Sequence, residues 1–171
     1  MCLFFSFRYM VMILSIMSNH RLEELAFTKE LLVSYPEGIL NRTIQGGDPE
    51  GTHKRRPDFQ LENNYNFLLV DINENQHKSY DPIDEERRLR ELLGDVDKPL
   101  IYMILNPDEY IDKNGKRVGG CFYKDQDGDL QYNLDEFKRR MSKLRMDVGK
   151  YRNEAPTVPF VMKTPLFMDQ L

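Results

Sequence analysis

Hydrophobic positions along the chain fall into two patterns, and each predicts a different kind of element. Leu22, Leu25, Ala26, Leu31 and Leu32 recur close to the helical period. They predict a helix capped by Ser18 or Asn19 and ending near Tyr35-Pro36-Glu37-Gly38. Phe67-Leu68-Leu69-Val70 and the run from Pro99 to Leu105 are continuously apolar, the pattern of strands buried on both faces. A short extended segment, Asp58-Phe59-Gln60-Leu61, precedes the first run across a turn at Glu62-Asn63-Asn64, so the two read as a hairpin. Between the apolar runs a second helix is expected. Asp81 is its N-cap, Pro82 its first residue, Gly94 its end, and Leu89, Leu92 and Leu93 its buried stripe. Asp84–Arg88, Glu86–Arg90 and Arg87–Glu91 are spaced for opposite-charge pairing along it. Strand, helix and strand in that order predict a crossover between parallel strands.

The remaining segments are less regular. Residues 41–56 are polar and Gly-rich without periodicity, which predicts a long loop of the kind that is usually functional. Asn114-Gly115 and Asp127-Gly128 are hairpin-turn signals. Asn133 and Glu136 have N-cap and N3 spacing before a last long helix, with Leu134, Phe137, Met141 and Leu144 on its inner face. The tail, punctuated by Pro156, Pro159 and Pro165, is expected to be extended. Residues 1–16 are apolar around Arg8. They are read as an extension from an upstream start, as a buried strand or helix, or as a targeting segment, and these readings stay open. The uninterrupted stretch from Tyr9 to Met17 is far short of the roughly 20 residues that span a bilayer, so no stable membrane association is expected. Residues 17–171 are taken as a single domain.

Composition narrows the classes. The 171 residues carry a formal charge of −4, which argues against coating nucleic acid by bulk charge but leaves local basic patches open. Phe and Tyr supply the aromatic core in the absence of Trp. Cys2 and Cys121 form neither a disulfide framework nor a zinc spacing, which points to a reducing compartment, cytoplasmic or nuclear.

Two carboxylates stand out. Asp58 opens the first hairpin strand and Asp71 closes the second, thirteen residues later, so the turn brings them back alongside each other. An ionised carboxylate at the end of a wholly apolar run is expensive unless paired or metal-bound. Hard cations such as magnesium take one or two carboxylates plus water and substrate. A cation so held polarises a phosphodiester and activates water. His53-Lys54-Arg55-Arg56 adjoins this pair, and the segment from Leu134 to Arg152 holds a second basic run that includes Lys138 and Arg139. On a shared face the two runs would follow a phosphate backbone.

The strings RRPDF (Arg55 to Phe59), DINENQHKSY (Asp71 to Tyr80) and ILNPDEY (Ile104 to Tyr110) follow in that order. Together they resemble a family of nuclease-like proteins common in large DNA viruses. That family carries RRPD, then E-I-D-E-x-Q-H-x-x-Y, a helix with E-x-x-R, and R-F-N-P-D-x-Y. It is similar in turn to very-short-patch-repair-type endonucleases of the PD-(D/E)XK superfamily. The resemblance covers roughly residues 54–148, with an echo at Pro165-Leu166-Phe167-Met168-Asp169. It implies an α/β, restriction-endonuclease-like fold, a mixed β-sheet with flanking helices. It also implies an endonuclease that hydrolyses DNA with magnesium or manganese. Asp58 and Asp71 would be the metal ligands, and His77 would orient water or meet the phosphate. Gln76 would position the site, and Glu74 would join the catalytic set. Lys54, Arg55, Arg56, Arg88, Lys138 and Arg139 would contact nucleic acid, while Glu85 and Arg88 match the helix motif. Glu23 or Glu24, with Glu24 preferred, is the candidate for an extra carboxylate from the first helix.

Three positions depart from that pattern. Asp71 stands where the family has Glu, Asn73 where it has an acid, and Ile104 where it has Arg. They motivate a rival expectation, a non-catalytic nucleic-acid-binding module on the same fold. A third, a calcium-responsive interaction protein, rests on acids at Asp125, Asp127, Asp129 and Glu136. There Leu130 occupies the position at which a calcium loop needs Gly.

Overall fold

The computed structural model describes residues 19–44, 55–73, 81–156 and 161–169. The apolar N-terminal segment and most of the long loop after residue 44 lie outside them, as do Lys54 and the segment from Glu74 to Tyr80.

The order of elements is α1 (Asn19–Ser34), β1 (Ile39–Leu40), β2 (Phe59–Glu62), β3 (Phe67–Ile72), α2 (Pro82–Gly94) and β4 (Leu100–Leu105). It continues through β5 (Tyr110–Ile111), β6 (Arg117–Val118), β7 (Phe122–Lys124), β8 (Leu130–Tyr132), α3 (Leu134–Asn153) and β9 (Val161–Leu166). Five strands form one mixed sheet in the order β1-β2-β3-β4-β9. The β1–β2 and β2–β3 pairs are antiparallel, and the β3–β4 and β4–β9 pairs are parallel. The protein is thus α/β with a mixed sheet, and among the described residues it has three helices. None of these is long and apolar enough to cross a membrane.

β3 and β4 are buried along their whole length, as continuous apolar runs require. Leu68, Val70 and Ile72 of β3, with Ile101, Met103 and Leu105 of β4, face α1 and α3. There they meet Phe27, Leu31, Phe137, Met141 and Leu144. Phe67, Leu69, Leu100, Tyr102 and Ile104 face the other way and pack under Leu89, Leu92 and Leu93 of α2. Successive residues of a strand point to opposite faces, so each strand feeds both layers. The hairpin turn is tied to the end of α3: Asn66 Nδ2 donates to the Tyr151 carbonyl at 2.8 Å.

Several local expectations are revised. Asp81 caps α2 through its bond from the Ile83 amide, and Pro82 follows it as expected. Of the three charge pairs expected along α2, only Glu86–Arg90 forms. Arg87 turns to Asp84, Glu91 receives Arg55 at 2.5 Å, and Arg88 reaches down to Asp71. A buried carboxylate competes for a guanidinium better than a solvated one. The Asn133 side chain does not cap α3; its Nδ2 donates to the Gly120 carbonyl, while Glu136 pairs with Arg139 and Arg140. Leu134, expected on the inner face, is 49% exposed because the packed stripe begins a turn later at Phe137. The tail supplies a fifth strand, β9, at the edge of the sheet, where a proline such as Pro165 is tolerated.

Candidate functional site

β2 runs antiparallel to β3 with Phe59 opposite Val70, so Asp58 and Asp71 sit at the same end of the hairpin. They exchange bonds across it. The Asp58 amide donates to Asp71 Oδ1 at 3.3 Å, and the Ile72 amide donates to Asp58 Oδ2 at 2.7 Å. This end is also where the parallel strands β3 and β4 finish, the side of an open α/β sheet on which ligands bind.

Asp71 is 2% exposed and lies on the face covered by α2. Besides the Asp58 amide, two side chains donate to it. Arg88 of α2 reaches Oδ2 through Nη2, and the Tyr102 hydroxyl reaches the same oxygen at 2.5 Å. Burial opposes the Arg88 charge, but Asp71 together with Tyr102, Glu85 and Asp58 more than offsets this, and the guanidinium pKa lies above the ordinary arginine value. Burial, and then the Asp71 charge, also push the Tyr102 hydroxyl up, so it keeps its proton and acts as donor.

Asp58 is different. Burial and the neighbouring Asp71 charge push its carboxyl up to about 8, against the Ile72 amide and Arg88, which favour its charged form. The Asp58 carboxyl therefore favours its protonated form beside the Asp71 charge. Glu24 adds to the same repulsion from α1. Its Oε1 accepts from Asn41 Nδ2 at 2.7 Å, and the Asn41 amide donates to the Asp58 carbonyl at 3.3 Å. The first helix therefore does bring a carboxylate to the neighbourhood of the pair. Even so, no group of three metal-ligating side chains converges among the described residues.

The other residues singled out in the sequence divide clearly. Glu74, Gln76, His77 and Lys54 lie outside the described residues; Asn73, just before them, is buried and its amide donates to the Leu105 carbonyl at 2.8 Å. Arg88 joins Asp71, as above. Arg55 pairs with Glu91, Arg56 is exposed, and Lys138 is exposed on α3. Arg139 bonds Glu136 and the Tyr110 hydroxyl and lies over the Phe167 ring, 4.8 Å from its centroid. Much of the basic run on α3 is engaged within the protein: Arg140 is buried, and Lys143, Arg145 and Arg152 pair with Asp147, Glu30 and Glu37.

The Asn106-Pro107-Asp108 segment serves the frame. Asn106 is fully buried, donates to the Phe167 carbonyl at 2.8 Å and accepts from the Asp108 amide. Asp125 closes its own turn, with Oδ1 accepting from the amides of Asp127 and Asp129 and Oδ2 from Gln131 Nε2.

Tyr102 and Asn41 were not singled out from the sequence. A signal for Tyr102 was present, since it is the one aromatic residue in the otherwise aliphatic strand LIYMIL. Reading it required the β3–β4 register, which pairs Asp71 with Ile104 and so places Tyr102 on the same face. Asn41 takes a left-handed conformation, φ 49°, in a loop with no pattern to mark it. Compared with known proteins, the chain matches no family model, no curated protein and no solved structure.

Proposed function

We propose that this chain is a metal-dependent endonuclease that hydrolyses phosphodiester bonds in DNA on a restriction-endonuclease-like framework. The observation that carries the reading is the paired carboxyls of Asp58 and Asp71 at the end of the hairpin, with the Arg88 guanidinium on the same spot.

The donor set suits a hard cation. A carboxyl pushed toward its protonated form by burial and a neighbouring carboxylate, as Asp58 is, is relieved by a divalent ion, and magnesium or manganese needs no more than one or two such ligands. Asp58 and Asp71 would hold it, and when bound it supplies a polarised phosphate and an activated water. The residues of the chain do the positioning. Arg88 spends one donor on Asp71, and its buried Nε has no hydrogen-bond partner. An orphaned guanidinium donor beside a carboxylate pair suits a phosphate oxygen. Exposed Arg56, on the chain just before Asp58, adds positive charge at the same end of the sheet.

The test is cleavage of supercoiled and linear DNA by the purified protein with magnesium, manganese or calcium, beside Asp58→Ala and Asp71→Ala. Metal-dependent nicking that both substitutions abolish is the expected result. Cleavage that survives both substitutions overturns the assignment.

A second reading has its own support. Because Arg88 already gives Asp71 an internal cation, the same frame suits a nucleic-acid-binding module without hydrolysis. Filter binding that persists in chelator, with no cleavage in any metal, selects that reading.

A further inference from the structure

The inner layer under α2 is apolar, and a phenol set into it needs a reason. Tyr102 is 2% exposed and packs with Leu69, Leu92, Leu100 and Ile104. A buried hydroxyl is costly without a partner. The partner here is Asp71 Oδ2 at 2.5 Å, two positions along the face from the strand neighbour Ile104. Three donors therefore hold the Asp71 carboxylate from three directions. The Asp58 amide comes from the hairpin partner, Arg88 from the helix above, and Tyr102 from the neighbouring parallel strand. Two of them share Oδ2, and the Asp58 amide takes Oδ1. A carboxylate held at both oxygens cannot rotate freely.

We infer that Tyr102 is a positioning residue for a divalent-cation site at Asp58 and Asp71, its hydroxyl fixing the rotation of the Asp71 carboxylate. The inference rests on the reading of that pair as the cation site. Arg88 alone does not fix the rotation, because it is carried on a flexible side chain, whereas the tyrosine ring is clamped in the layer. A hydrogen-bond partner of this kind orients a metal ligand, and removing one typically weakens metal binding about 10–100-fold.

The experiment is calorimetric titration of the metal-free protein with manganese, comparing wild type, Tyr102→Phe, Asp71→Ala and Leu69→Val, with thermal melts run alongside. Tyr102→Phe keeps the ring and removes only the hydroxyl. Leu69→Val disturbs the same layer at the strand neighbour of Tyr102 and leaves the carboxylate alone. The expected result is manganese affinity about 10–100-fold lower in Tyr102→Phe and unchanged in Leu69→Val. Any loss of DNA cleavage in Tyr102→Phe should also be repaired by raising manganese, which a packing defect would not allow. Wild-type affinity in Tyr102→Phe, with binding lost in Asp71→Ala, overturns the inference and leaves the cation site standing. Equal losses in Tyr102→Phe and Leu69→Val assign the effect to packing and also overturn it. No manganese bound by the intact protein overturns the cation site and the inference together.

Discussion

Arg140 stands next to Arg139 in the sequence and shares Glu136 with it, but unlike its exposed neighbour it is sealed in the interior. It is 0% exposed, donating to the carbonyls of Asn106 and Asp108 through Nη1, to the Gly119 carbonyl through Nη2 and to Glu136 through Nε. Its guanidinium also lies over the rings of Tyr110 and Phe167. One cation thus holds the loop after β4 against α3. Replacing it with Met would take that donor from the three carbonyls and leave Glu136 with Arg139 alone, and breaking a buried ionic network from one side costs about 3–5 kcal/mol. Urea denaturation of Arg140→Met should show a loss of that size, while Lys138→Ala, at an exposed position, should stay within about 0.5 kcal/mol of wild type. A smaller loss in Arg140→Met would mean that the loop closes on its own. In the sequence the two arginines and Lys138 look alike, because what buries one of them is a loop that arrives from 34 residues upstream.

At the scale of elements, legibility followed how local the cause was. The hairpins were readable because one turn residue decides each. Gly115 and Gly128 adopt φ of 75° and 86°, and Asp112 and Asp125 each accept amides of their own turn. Gly128→Ala meets no atom within 4 Å, so its whole effect is backbone strain, about 1 kcal/mol, and a thermal melt measures it. Gly38→Ala is the contrasting case, since its new Cβ would overlap the Phe59 ring, and it should destabilise by more than Gly128→Ala does. α2 and the strands on either side of it were readable from their caps and continuous apolar runs. β9 was not, because Pro165 argues against a strand until the strand is known to lie at an edge. The Asn133 and Glu136 cap failed because each side chain has another partner: Asn133 Nδ2 reaches the Gly120 carbonyl outside the helix, while Glu136 is held by Arg139 and Arg140 one turn further along it.

For the whole molecule, the meeting of Asp58 with Asp71 was legible because a tight turn and a period of two fix it, whereas the donors Arg88 and Tyr102 needed the crossover and the register of two parallel strands. What those donors and neighbours do to Asp58 makes the site a term in global stability. Its carboxyl faces Asp71 on β3, Glu24 on α1, Arg88 on α2 and the Ile72 amide, and with no cation present it is pushed from 3.8 up to about 8. A pKa raised on folding means that the folded state holds a proton that the unfolded chain has released. The Asp58 contribution is therefore fully present below the unfolded value and is lost as pH rises toward about 8. Other carboxyls act in the opposite sense: Asp112, Asp125 and Glu136 are lowered on folding and favour the folded state as pH rises. The Asp58 part is isolated by comparison with Asp58→Asn, which keeps the shape and cannot ionise. In chelator, the stability of Asp58→Asn relative to wild type should grow as pH rises from about 4 to about 8, by at most about 1.4 kcal/mol per pH unit. Manganese at the upper end of that range should stabilise wild type and leave Asp58→Asn nearly unmoved, because a bound ion takes over the proton's role. Urea midpoints at a series of pH values, with and without manganese, measure both effects. A difference between the two proteins that is flat with pH would show that Asp58 is solvated and carries no such charge strain. A difference that grows with pH but ignores manganese would show a strained acid pair that no cation relieves.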